Sequence, residues 1–179
     1  MSDVPDELAQ LTELVWLSLI NNRLTRFPPI PALTHLTRLN LDYNQISEVP
    51  PWIGSLVALG SLWMPGNRVE RLPAEVGGLS ELQQLNLAAN SLAELPDSIG
   101  DLTLMSRLFL NGNLLSALPD RLTAVDPGEL AIGDNNLCNV SPALRDWLDE
   151  HDPDWTESQY SDSDRQIACV VAVGAAAED

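Results

Sequence analysis

Eight side chains carry most of the chemistry this chain has to offer: Trp16, Tyr43, Trp63 and Phe109, with Arg38, Arg107, Asn40 and Asn86 among them. Their chemistry is non-covalent. Aromatic rings and guanidinium groups dominate binding hot spots, because each joins a broad apolar face to a directed polar edge. Asparagine adds an amide that both donates and accepts. Covalent chemistry finds no comparable seat. His35 and His151 have no cysteine or serine near them in a recognisable nucleophile motif. Neither GxxxxGKS/T nor GxGxxG occurs, so a nucleotide phosphate would meet no glycine-rich cradle. The acidic stretch Asp149, Glu150, Asp152, Asp154, continued by Asp162 and Asp164, lacks the DxDxDG order and closing glutamate of a calcium loop. It reads as a solvated acidic tail. Cys138 and Cys169 lack CxxC spacing for zinc or redox work and leave open one bridge in an oxidising compartment. The expectation is a chain that is no enzyme and uses no cofactor and no metal.

Charge narrows the partners. The 179 residues carry 9 basic against 26 acidic groups, a net of −17, and every basic residue is arginine. Such a surface repels phosphate backbones and anionic membranes, so neither nucleic acid nor membrane is expected as a partner. The start, MSDVPDELAQ, lacks a cationic and apolar signal region. The apolar run at 167–177 is too short and weak for a membrane span. A cytoplasmic location is the default expectation, with export open if the chain is a fragment.

The eight residues acquire positions only through a repeat. Asparagines recur at Asn22, Asn44, Asn67, Asn90, Asn113 and Asn135, at intervals of 22, 23, 23, 23 and 22 residues. Leu14, Leu17 and Leu19 precede the first, and Leu36, Leu39 and Leu41 the second. The pattern persists through Leu82, Leu85 and Leu87 and weakens only in the sixth unit, where Pro127 takes the first apolar slot. Phe27-Pro28, Val49-Pro50, Leu72-Pro73, Leu95-Pro96 and Leu118-Pro119 mark the second half of the unit. The consensus LxxLxLxxNxLxxLPxxhxxL, with h apolar, resembles the leucine-rich-repeat family over residues 4–137. The resemblance is to the 23-residue type with LP in its convex half, as in plant intracellular Ras-group and many bacterial repeats.

Physical reasoning and the resemblance imply one α/β fold. Alternating leucines point inward from short strands that stack in parallel, forming the concave sheet of a right-handed solenoid. The return half is expected to be irregular or 3-10 on the convex side. A buried asparagine would satisfy the backbone where the chain leaves the sheet, since each unpaired group costs roughly 1–3 kcal/mol. The units span 1–137: a half unit, entered at Val4-Pro5 with Leu8 and Leu11, plus about six repeats. A helical cap is expected over 138–159, with Ser141 as N-cap, a helix at Pro142 to His151, and Leu144, Trp147 and Leu148 on its buried face. Residues 160–179 form an acidic tail, expected to be partly ordered at most.

The period places Trp16, Arg38 and Arg107 before the second leucine of their units, and Asn40, Trp63, Asn86 and Phe109 after it. Tyr43 falls just before its asparagine. These outward positions make a nearly neutral concave face about 25 Å across, from six strands about 4.8 Å apart. Family resemblance implies recognition of a protein or peptide there. Two alternatives stay open: a structural or self-associating fragment, monomeric or weakly paired through the N-terminal end, and carbohydrate binding by rings stacked on sugars with Asn40 and Asn86 on hydroxyls. Trp16 is expected to be partly covered by the N-terminal half unit, and Trp52 to pack on Pro51.

Overall fold

Each full unit contributes a three-residue strand, because only its LxL centre alternates between inward leucines and outward side chains. In the computed structural model, which describes residues 2–138 and 140–159, the strands are β1 (Trp16–Ser18), β2 (Arg38–Asn40), β3 (Ser61–Trp63), β4 (Gln84–Asn86), β5 (Arg107–Phe109) and β6 (Glu129–Ala131). They form one six-stranded parallel sheet in chain order. Its register aligns Leu17, Leu39, Leu62, Leu85, Leu108 and Leu130. The consensus leucines and their apolar substitutes are buried along most of the stack, Met64 and Met105 included.

The convex half is built of 3-10 turns at Pro51–Ser55, Ala74–Gly78, Asp97–Asp101 and Asp120–Ala124, with another at Asp6–Gln10 in the half unit. A proline precedes each one, and its ring fixes the entry, with φ between −60 and −74° and ψ extended. The 22-residue unit that begins at Asn22 is one residue short in this half. Its run Phe27-Pro28-Pro29-Ile30-Pro31 forms no 3-10 turn, since Pro29 and Pro31 bring no N–H. Adjacent turns nest so closely that a Cβ on Gly100 would lie 2.2 Å from the Arg121 carbonyl oxygen.

The asparagines tie unit to unit. Asn67 donates through Nδ2 to the carbonyls of Leu41 (2.9 Å) and Met64 (3.1 Å), while its Oδ1 accepts from the Ile46 N–H (3.0 Å). Asn44, Asn90, Asn113 and Asn135 repeat the arrangement. The residue before each asparagine turns the backbone into the left-handed region, with φ from +53 to +69° at Asn21, Tyr43, Gly66, Ala89, Gly112 and Asp134.

Past the sixth unit, α1 spans Pro142–His151, and Ser141 Oγ accepts from the Leu144 N–H at its start. Leu144, Trp147 and Leu148 are buried against the last repeat, and Trp147 Nε1 donates to the Val125 carbonyl at 2.8 Å. The segment after the helix imitates a further unit. Asp152 Oδ2 accepts from the Ile132 N–H (3.1 Å), and the Ser158 carbonyl accepts from the Asp134 N–H (2.5 Å). Gln159 takes the asparagine's part: Oε1 accepts from the Leu137 N–H (3.3 Å) and Nε2 donates to the Ile132 carbonyl (3.0 Å).

Two expectations need correction and others lie out of view. Asp152 and Asp149 are not merely solvated: the second accepts from Trp155 Nε1 at 2.7 Å. Trp52 packs edge-on against Phe27 of the preceding unit, with centroids 5.4 Å apart, because the nested turns bring those rings together, so its packing is not confined to Pro51. Cys138 is not a free thiol. Its sequence partner Cys169 and the tail at 160–179 lie outside the described residues.

Candidate functional site

On the concave sheet, register decides which outward side chains meet. Trp16, Arg38 and Ser61 are lateral neighbours on β1, β2 and β3, as are Ser18, Asn40 and Trp63. Together with Ile20 and Leu39 these residues line a concavity of about 120 Å³. The two indoles stand two strands apart, roughly 10 Å by sheet spacing. Trp16 is 60% exposed and Trp63 40%. The half unit leaves Trp16 open rather than covering it, and among the described residues it sets no strand ahead of β1.

The two concave arginines differ. Arg107 is neutralised by Glu129, directly opposite on β6, with Nε to Oε2 at 3.1 Å. Arg38 instead lies over the Trp16 ring, its guanidinium carbon 5.4 Å from the centroid, and has no carboxylate within ion-pair distance among the described residues. A cation–π contact of this kind uses the charge without consuming the guanidinium N–H groups as hydrogen-bond donors.

The asparagines do not serve as the sequence suggested. Asn40 is only 8% exposed, and its Oδ1 accepts from the Asp42 N–H at 2.9 Å. Asn86 does the same for Ala88 at 3.1 Å and is half-buried. Both amides stabilise the exit from their strands, so their carbonyl oxygens are already engaged. Tyr43 remains 60% exposed, but its ring leans over Gly66, where a Cβ would sit 2.6 Å from Tyr43 Cδ1. Phe109 is half-buried beside Asn86 and Ala131, away from the N-terminal group.

The structure thus gathers Trp16, Arg38 and Trp63, sets Tyr43 beyond the strand ends, and leaves Arg107 and Phe109 on the far half. Sequence reasoning passed over Ile20. Its signal is an exposed apolar residue in a column otherwise holding Asp42, Pro65, Ala88, Asn111 and Gly133. Asp42 in that column has an oxygen, Oδ1, buried without a hydrogen-bond partner. Burial raises its pKa above the usual aspartate value, against hydrogen bonding at Asn40 and at its own backbone.

No group of three or more histidine, cysteine or carboxylate side chains that could hold a metal ion exists among the described residues. No helix there is long and apolar enough to cross a membrane. His35 contacts the Thr12 carbonyl at 3.2 Å. His151 lies between the Trp147 carbonyl (2.7 Å) and the Asp126 carboxylate (3.0 Å).

A parallel-sheet solenoid with a capped end and a recessed aromatic surface defines a class of repeat scaffold. Comparison with known proteins agrees. A family model described as leucine-rich repeats, two copies, matches residues 12–54. A leucine-rich-repeat protein of Leptospira interrogans superposes with a TM-score of 0.74 at 32% identity, over 86% of this chain and 39% of that one. An internalin of Listeria monocytogenes gives 0.65 at 25% identity, over 74% of this chain and 38% of its own. The ectodomain of an Arabidopsis thaliana membrane receptor kinase, solved in complex with Casparian strip integrity factor 2, gives 0.68 at 26%, over 81% of this chain and 21% of its own. No curated protein sequence matches. This chain belongs to the leucine-rich-repeat family, and it spans about two fifths or less of these solved relatives.

Proposed function

We propose that the chain is a non-enzymatic recognition module that binds a segment of a protein partner on the N-terminal half of its concave sheet. The Trp16–Arg38–Trp63 concavity carries the reading. It sets two exposed indoles and an arginine, the residue types richest in binding energy, on a rigid sheet. The Arabidopsis relative, solved in complex with another factor, lends support at the level of the fold. Carbohydrate binding loses ground, because Asn40, one of the two asparagines it assigns to sugar hydroxyls, is only 8% exposed, and the amide oxygens of both already accept from backbone N–H groups.

Selection from a displayed library of random ten-residue peptides tests it. Peptides retained by the wild type should be released from Trp63→Ala and kept by Arg107→Ala, with circular dichroism confirming that both variants are folded. Retention by Trp63→Ala would move the site off this face.

A further inference from the structure

The two concave arginines share one column of the sheet yet meet different fates, and the difference points to the chemistry of a ligand. We propose that the Trp16–Arg38–Trp63 concavity recognises an extended acidic–apolar segment, its apolar side chain seated between the indoles and a carboxylate within two residues of it held by Arg38. This rests on the concave-face reading above and specifies its partner.

Three observations converge. The concavity is of side-chain size, about 120 Å³, with apolar walls from both indoles, Ile20 and Leu39. Arg38 borders it without a carboxylate of its own, whereas Arg107 is quenched by Glu129. The cation–π contact with Trp16 restrains the Arg38 side chain and lowers the entropy lost when its guanidinium forks onto a carboxylate. A chain of net −17 that leaves this arginine unquenched on its recessed face has a positive point where an acidic group is attracted. At physiological salt the screening length is about 8 Å, so acids on the convex turns act weakly across the solenoid. In an extended segment, residues advance about 3.3 Å each, so an acid one or two places from the seated side chain stays within reach of Arg38, which lines the same concavity from β2.

The test uses peptides selected on the wild type as above, resynthesised with each acid changed to its amide, and anisotropy titrations against wild type, Arg38→Gln and Trp63→Ala. Expected are sequences enriched in Asp or Glu beside Leu, Ile or an aromatic. The peptide's own acid-to-amide change should weaken binding to the wild type roughly three- to tenfold, and make little difference to Arg38→Gln. Trp63→Ala should lose roughly thirtyfold or more. Peptides that depend on Trp63 but show no acid preference, or keep it in Arg38→Gln, overturn this inference and leave concave binding standing. An absence of Trp63-dependent peptides, or displacement of them by neutral oligosaccharides, overturns both. Light scattering on the same samples identifies a second copy as occupant, which also overturns it.

Discussion

Among the described residues, the hydrogen-bond ladder is treated differently past β6 and ahead of β1. Past β6, three donors that a seventh unit would have satisfied, the N–H groups of Ile132, Asp134 and Leu137, are met by substitutes. Asp152 and Ser158 stand in for strand carbonyls and Gln159 for the missing asparagine, with Trp147 pinned to Val125 beneath. Ahead of β1 no such substitute occurs among the described residues. There β1 is the edge strand, Leu11 and Val15 are 54% and 50% exposed, and Asn22 donates to Leu19 and Ile20 of its own unit. A helix alone would have hidden apolar surface at either end. The difference is hydrogen bonding: the cap reproduces the backbone ladder, which an exposed edge leaves to water.

Mutation at matched places can break this contrast. The largest effect should come from Trp147→Ala, which removes a buried indole and frees the Val125 carbonyl, at a cost of about 3–5 kcal/mol. Leu11→Ala at the other end should cost less than about 0.5 kcal/mol, as for exposed sites away from special features. Urea denaturation of the two variants decides; comparable losses would show that the N-terminal end is covered in solution.

A smaller difference is expected between Gln159→Leu and Asn22→Leu. The first removes the Gln159 bonds to the Leu137 N–H and the Ile132 carbonyl and should cost roughly 1–3 kcal/mol, while the second exposes groups that water already reaches. Amide exchange at Leu137 reads the first directly and should accelerate only in Gln159→Leu.

The smallest effects are the pH dependences, which separate the ends by window. Burial opposes the charge on His151, but the Asp126 carboxylate and Trp147 carbonyl on its two nitrogens, with the field of Glu150, outweigh it and raise its pKa. Its stabilisation is complete below 6.5, the ordinary value, and is lost as pH rises through the raised one. Asp42, raised by burial, has the same sign in acid: its contribution is complete below 3.8 and lost as pH climbs through its raised value. Melting curves against pH should lose the near-neutral slope in His151→Gln and the acid slope in Asp42→Asn. A neutral slope that survives in His151→Gln would assign it elsewhere.

Much of this was readable in the sequence where the repeat speaks. Strand positions, the asparagine ladder and α1 with Trp147 inward follow from spacing and periodicity, and the irregular or 3-10 convex side from the family resemblance. Legibility ends where the repeat does. Asp152 and Gln159 fit no consensus, and only the fold back over β6 shows that they complete a ladder. Asn40 was misread for a related reason: alternation places it outward, but a strand of three residues ends there, and its amide curls back to Asp42. Arg38 and Arg107 occupy equivalent positions, so only the residues opposite, Ser61 and Glu129, distinguish a free cation from a quenched one.

The ladder also bears on how such a chain changes length over generations. Each rung joins an asparagine to an N–H lying 20 or 21 residues before it and to a carbonyl 25 or 26 residues before it, both in the preceding unit. Excising or duplicating one interior period, cut between equivalent positions, joins like surface to like surface and leaves every bond type in place. The concave face would then grow or shrink by one column of outward side chains while both ends keep their finish. Variation in length and variation in recognition are thereby the same genetic event.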